Sequence, residues 1–114
     1  MSNHWCGGFP DGELIARLAA AAARDRATTA ELLAMIGEVE ARRLYADHSC
    51  DSMFRYCVRV LRMSEDVAIK RLCVARAARR HPQILEWIAD GQLTVTGVKL
   101  LLPHLVDANA AKLL

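Results

Sequence analysis

Apolar residues recur along this chain at intervals of three and four, and no strand–turn–strand signal is seen. That period belongs to helices, and it divides the chain into a series of them. Asp11 caps a first helix running to about Arg26. Leu14, Ile15 and Leu18 form its stripe, and the alanine run Ala19–Ala23 lies at its centre. Thr28-Thr29-Ala30-Glu31 has capping-box spacing and predicts a second helix from about Thr29 to Tyr45, through Leu32, Leu33, Ile36 and Val39. Glu38 and Arg42 sit one turn apart on it. After a loop at 48–51, Asp51 or Ser52 caps a third helix ending near Arg62. Phe54, Cys57, Val58 and Leu61 share its buried face. Ser64 caps a fourth helix to about Arg80, with Glu65 and Asp66 in its first turn. This helix is apolar almost all round, which predicts a central position packed on several sides. Pro82 opens a fifth helix that Gly91 ends, and Thr94 or Thr96 opens a sixth that Pro103 should end or kink. Asp107 can cap a last helix.

The expected fold is therefore all-α, a single compact domain of about seven short helices. Residues 1–10 form a loose arm and residues 11–114 the helical domain. The last helix has no cap or polar tail after Leu114, so the domain is expected to be truncated at its C-terminal end.

Composition agrees. The chain has 114 residues, 54% of them hydrophobic and 25% charged, enough for one domain with its own core and too apolar for disorder. No apolar run approaches the roughly 20 residues of a membrane span. Cys57 and Cys73 fall at apolar helical positions, where a free cysteine acts as a small hydrophobe. The N-terminus, MSNHWCGGFPDG, has no apolar signal-like segment. Together these predict a reduced, cytoplasmic protein without disulfides.

Charge adds the first functional hint. Residues 55–80 carry eight basic side chains (Arg55, Arg59, Arg62, Lys70, Arg71, Arg76, Arg79 and Arg80) against two acidic ones, Glu65 and Asp66. That segment is +6 while the rest of the chain is −4, so the overall +2 is a cancellation. A local excess of one sign raises the potential over its surface, and polyanions are its natural partners. Arg55, Arg59 and Arg62 fall on one side of the third helix, where three guanidiniums in a row can track phosphates. A solvated face beside a core stripe is the plainer reading of the same residues. Helices three and four, joined by Arg62-Met63-Ser64, have the outline of a helix–turn–helix pair. Glu65 and Asp66 count against the second helix as a reader of acidic DNA, although as dipole partners they need no further role.

Chemistry is harder to find. His4-x-Cys6 and His48-x-Cys50 repeat one spacing on two segments, but no C-x₂-C or H-x₃-H pair accompanies them, so no metal site is expected. His81 and His104 adjoin prolines at helix boundaries and read as capping or surface residues. There is no G-x-S-x-G, P-loop or G-x-G-x-x-G sequence, and no nucleophile–base–orienter set. No catalytic residue, cofactor or enzyme activity is assigned to this chain alone.

One set of motifs carries a resemblance. It comprises Ala41-Arg42-Arg43-Leu44-Tyr45, then Ser52-Met53-Phe54-Arg55-Tyr56-Cys57-Val58-Arg59-Val60-Leu61-Arg62-Met63-Ser64-Glu65. Lys70-Arg71, Ala75-Arg76-Ala77-Ala78-Arg79-Arg80, Pro82 and Ile88-Ala89-Asp90-Gly91-Gln92-Leu93-Thr94 follow, then Leu101-Leu102-Pro103-His104-Leu105 with Asn109. Over about residues 32–114 the chain resembles the N-terminal helical, DUF222-like region of bacterial HNH endonuclease family proteins. In that family a C-terminal HNH module holds the divalent metal and cuts DNA, and this sequence contains none of it. The resemblance implies a DNA-binding helical domain without its catalytic module. Its phosphate contacts would come from Arg55, Arg59, Arg62, Lys70, Arg71, Arg76, Arg79 and Arg80. Two positions depart from the family pattern. Ser49-Cys50 stands where the family usually has Gly-Tyr, and His81 stands where it has an aromatic residue. The stretch from helix four to helix six, with its Gly91-Gln92-Leu93-Thr94 turn, also looks like the helical region of ParB-type DNA-binding proteins. A protein-interaction or scaffold module, self-associating or docking on a missing C-terminal module, is the alternative function; a non-functional nuclease remnant is another.

Overall fold

The computed structural model describes the backbone of residues 4–107 and the side-chain environments of residues 6–103. These residues are helical throughout apart from short connections, with no strand among them. A single turn, α1 (His4–Gly7), precedes α2 (Asp11–Arg42). A 3₁₀ segment (Leu44–His48) leads into α3 (Met53–Arg59), α4 (Glu65–Arg80), α5 (Gln83–Ala89) and α6 (Val95–Asp107).

The first two expected helices are one. α2 runs 32 residues without interruption, about 48 Å at 1.5 Å per residue. The capping-box spacing at Thr28–Glu31 is not used as a start. No glycine or proline lies between Leu14 and Ile36 to break the ladder, and threonine costs only about 0.5 kcal/mol relative to alanine inside a helix. Continuing the ladder leaves no orphan backbone groups, whereas a break there would create several. α2 ends where Arg43 turns into the left-handed region (φ 57°), its N–H donating to the carbonyls of Val39 and Glu40.

The two halves of α2 live in different surroundings. Every residue from Asp11 to Thr28 is exposed. From Thr29 onward the helix enters the core, where Ala30, Leu33, Ile36 and Gly37 are buried. α2 packs there on α4 and α5.

α4 is the centre of the fold, as its all-round apolarity predicts. It contacts α2, α3, α5 and α6, and it buries Ala68, Leu72, Val74, Ala75, Ala77 and Ala78. Alanines on several sides let the neighbouring helices come close. At Gly37 a Cβ would meet the Arg79 side chain at 3.2 Å and the Ala75 carbonyl at 3.4 Å, so this glycine marks the tight crossing of α2 over α4.

The caps of α3 and α4 follow expectation. The Ser52 and Ser64 hydroxyls accept hydrogen bonds from the N–H groups of Arg55 (3.1 Å) and Val67 (3.2 Å). α3 stops short of its expected end at Arg62. Arg62 adopts φ 65°, and the Met63 N–H donates to the Cys57 carbonyl at 3.0 Å, a six-residue closure that ends the helix. Leu61 therefore leaves the buried face and is 39% exposed, while Met53 and Cys57 are buried and Phe54 and Val58 are half-buried.

Gly91 closes the end of α5 at φ 88°, as expected. α6 passes through Pro103 instead of ending there, although proline lacks the N–H for one ladder bond. The last expected helix, after Asp107, lies outside the described residues. No described helix is long and apolar enough to cross a membrane.

Candidate nucleic-acid interface

The eight basic residues of the 55–80 segment do not form one surface. They divide by the faces of α3 and α4.

Arg76 and Arg79 point across the α4–α2 crossing at carboxylates. Arg76 Nε donates to Glu40 Oε1 at 3.0 Å and Nη2 to Glu40 Oε2 at 2.6 Å, a bidentate pair. Arg79 Nη1 donates to Glu38 Oε1 at 2.9 Å, and Arg42 Nε donates to Glu38 Oε2 at 2.7 Å. The Arg42 contact is the one-turn pair expected from sequence. The hydrogen bond from Arg79, and then that from Arg42, holds the Glu38 carboxyl below the usual carboxylate range. The bidentate bond to Glu40 raises the already high pKa of Arg76. Two of the eight positive charges are thus neutralised by α2 and tie it to α4. This cross-helix pairing is invisible in the sequence, because its partners lie 36 and 41 positions apart.

Lys70 turns to the opposite side, where its Nζ lies 3.4 Å from Thr96 Oγ1 of α6. Arg71 is half-buried. Its charge lowers the pKa of the buried Cys57 thiol, against the larger upward push of burial and that of Glu40. Arg80 is exposed at the end of α4.

Arg55 and Arg59 are exposed and one turn apart on α3. They line a surface depression of about 490 Å³ with Asp51, Ser52, Phe54, Val58 and Glu65. Asp51 sits 3.7 Å from Arg55, an open pair with both side chains largely in solvent, and such pairs hold weakly. Arg62 lies beyond the end of α3, so the expected row of three guanidiniums reduces to two on the helix and a third on the turn after it. The residues expected to form a helix–turn–helix pair fall in α3, residues 60–64 and α4, without establishing such a unit. α4 is enclosed by four other helices over much of its length, and Glu65 and Asp66 are exposed at its start.

Among the described residues no group of three or more His, Cys, Asp or Glu side chains converges to hold a metal ion. Cys50 is buried, its thiol 3.6 Å from the His48 carbonyl, while Cys6 is exposed. The His48 ring meets the Tyr56 ring edge-on at 5.3 Å. The side chain of His104 lies outside the described residues, and the backbone N–H of His81 caps α4 by donating to Ala77.

Comparison with known proteins finds no matching family model, no matching curated protein and no matching solved structure.

Proposed function

We propose that this chain is a DNA-binding helical domain of an HNH-endonuclease-like protein, without the catalytic HNH module. The observation that carries the reading is the pair of exposed guanidiniums of Arg55 and Arg59, one turn apart on α3, within a +6 segment of an otherwise acidic chain. Guanidiniums present planar donors to phosphate oxygens, and two at one-turn spacing with Arg62 beyond them suit successive backbone phosphates. Lys70, Arg71 and Arg80 extend the positive field. Arg76 and Arg79, held by Glu40 and Glu38, contribute least.

The test is fluorescence anisotropy of a labelled duplex at several salt concentrations. Contacts to three phosphates give a slope of log affinity against log salt of about −2.7, and each of Arg55→Gln and Arg59→Gln reduces its magnitude by about 0.9. Absence of binding at ~50 mM salt with micromolar protein, or binding indifferent to salt, refutes the proposal.

The exposed apolar side of α2 favours an interaction module as the second reading.

A further inference from the structure

α2 carries one amphipathic face along its whole length, but only its second half is covered. At 100° per residue, Asp11, Ile15, Leu18, Ala19, Ala22 and Arg26 lie on the same face as Leu33, Ile36 and Gly37. The latter three are buried in the core. Ile15 and Leu18 are each 64% exposed. The opposite side of this half is polar, with Glu13 and Arg17 paired at 2.8 Å and Arg17 stacked on Phe9. The exposed half therefore has an apolar side of its own; Leu18 at its edge lines an open groove with Cys6 and Phe9 of the N-terminal segment, and Ile15 and Leu18 stay largely in solvent.

We propose that this face pairs with the same face of a second copy of the chain, the two helices running antiparallel. The face has the symmetry that such a pairing requires. A two-fold axis between Leu18 and Ala19 sets Leu18 against the second copy's Ala19, Ile15 against its Ala22, and Asp11 against its Arg26. Each bulky side chain meets an alanine, so the helices can approach closely. Each end of the stripe closes with an opposite charge. A parallel pairing would instead set Asp11 on Asp11 and Arg26 on Arg26, which the like charges reject. The Arg26 side chain lies over Gly91 where α2 enters the core, which places the outer pair at the edge of the globular body. The strip is about 24 Å long and one helix wide, below the size of a standard stable interface, so the association is weak and reversible.

This proposal is independent of DNA binding and is tested without DNA. Sedimentation velocity of the 114-residue chain is measured from about 1 to 500 µM under reducing conditions, which keep the exposed Cys6 from cross-linking. The weight-average sedimentation coefficient is expected to rise with concentration toward that of a dimer. Leu18→Glu, a substitution at an exposed site, should raise the dissociation constant about 100-fold or more while leaving the helical circular dichroism intact. Asp11→Arg and Arg26→Asp each weaken association, and the double variant carrying both restores it, because the exchanged charges again oppose each other. A chain that stays monomeric over the whole range overturns the proposal. So does a dimer indifferent to Leu18→Glu, or a double variant that associates no better than the single ones.

Discussion

Leu33 and Leu18 are the same residue type on the same helix, four turns apart, and the structure assigns them opposite fates. Leu33 is 0% exposed in the core and Leu18 is 64% exposed. Truncating each to alanine removes the same three carbon atoms. At Leu33 the lost transfer energy is about 2.4 kcal/mol at 0.8 kcal/mol per methylene, and the cavity left behind brings the total to about 3–5 kcal/mol. At Leu18 most of the side chain is already in water, and alanine is the better helix former, so the change lies within about 0.5 kcal/mol of zero. The core is small and rich in alanine: Ala30, Ala68, Ala75, Ala77 and Ala78 are all among its buried members. A folded body of this size has roughly 4–11 kcal/mol of stability, so Leu33→Ala removes about a quarter of it or more. Urea unfolding followed by circular dichroism, at a few micromolar to keep the chain monomeric, reads both variants. With an m-value of about 1–1.5 kcal/mol/M, the midpoint falls by about 2 M or more for Leu33→Ala and moves little for Leu18→Ala. Equal losses at the two sites would mean that the first half of α2 is packed within the monomer, and would refute the two-environment description of this helix.

Two further outcomes follow from local geometry. Ser49 sits at φ 61°, a conformation that suits glycine better than serine, so Ser49→Gly should be neutral or stabilise by up to about 1 kcal/mol; a marked loss would show that the hydroxyl is needed. Glu38, whose folded-state pKa is lowered by Arg79 and Arg42, contributes stability that is present above the ordinary carboxylate pKa and lost as pH falls through the lowered one. The stability difference between the wild-type chain and Glu38→Gln should therefore shrink as pH is taken from about 7 toward 3, and a difference that stays constant would argue against these pairs.

The helical class, the serine caps of α3 and α4, the glycine end of α5 and the central place of α4 were all legible in the residues, because each depends on neighbours three or four positions away. The same local reasoning misplaced the boundary at Thr28, where a good cap competes with uninterrupted good helix formers and loses. It extended α3 to Arg62, because the closure by the Met63 N–H depends on one residue entering the left-handed region. Pro103 reads locally as a terminator or a kink, but α6 continues through it.

The charges show the division most clearly. By itself the sequence determined that positive charge is concentrated in residues 55–80, since that is a matter of counting along the chain. Only the tertiary structure decided that Arg76 and Arg79 meet Glu40 and Glu38, that Lys70 faces α6, and that Arg55 and Arg59 are left toward solvent. The same holds for the apolar face of α2. Its periodicity is local and readable, but whether a stretch of it is covered depends on where α4 and α5 end in space. Coulomb attraction and apolar burial act between groups that folding brings together, at separations that no short-range pattern records.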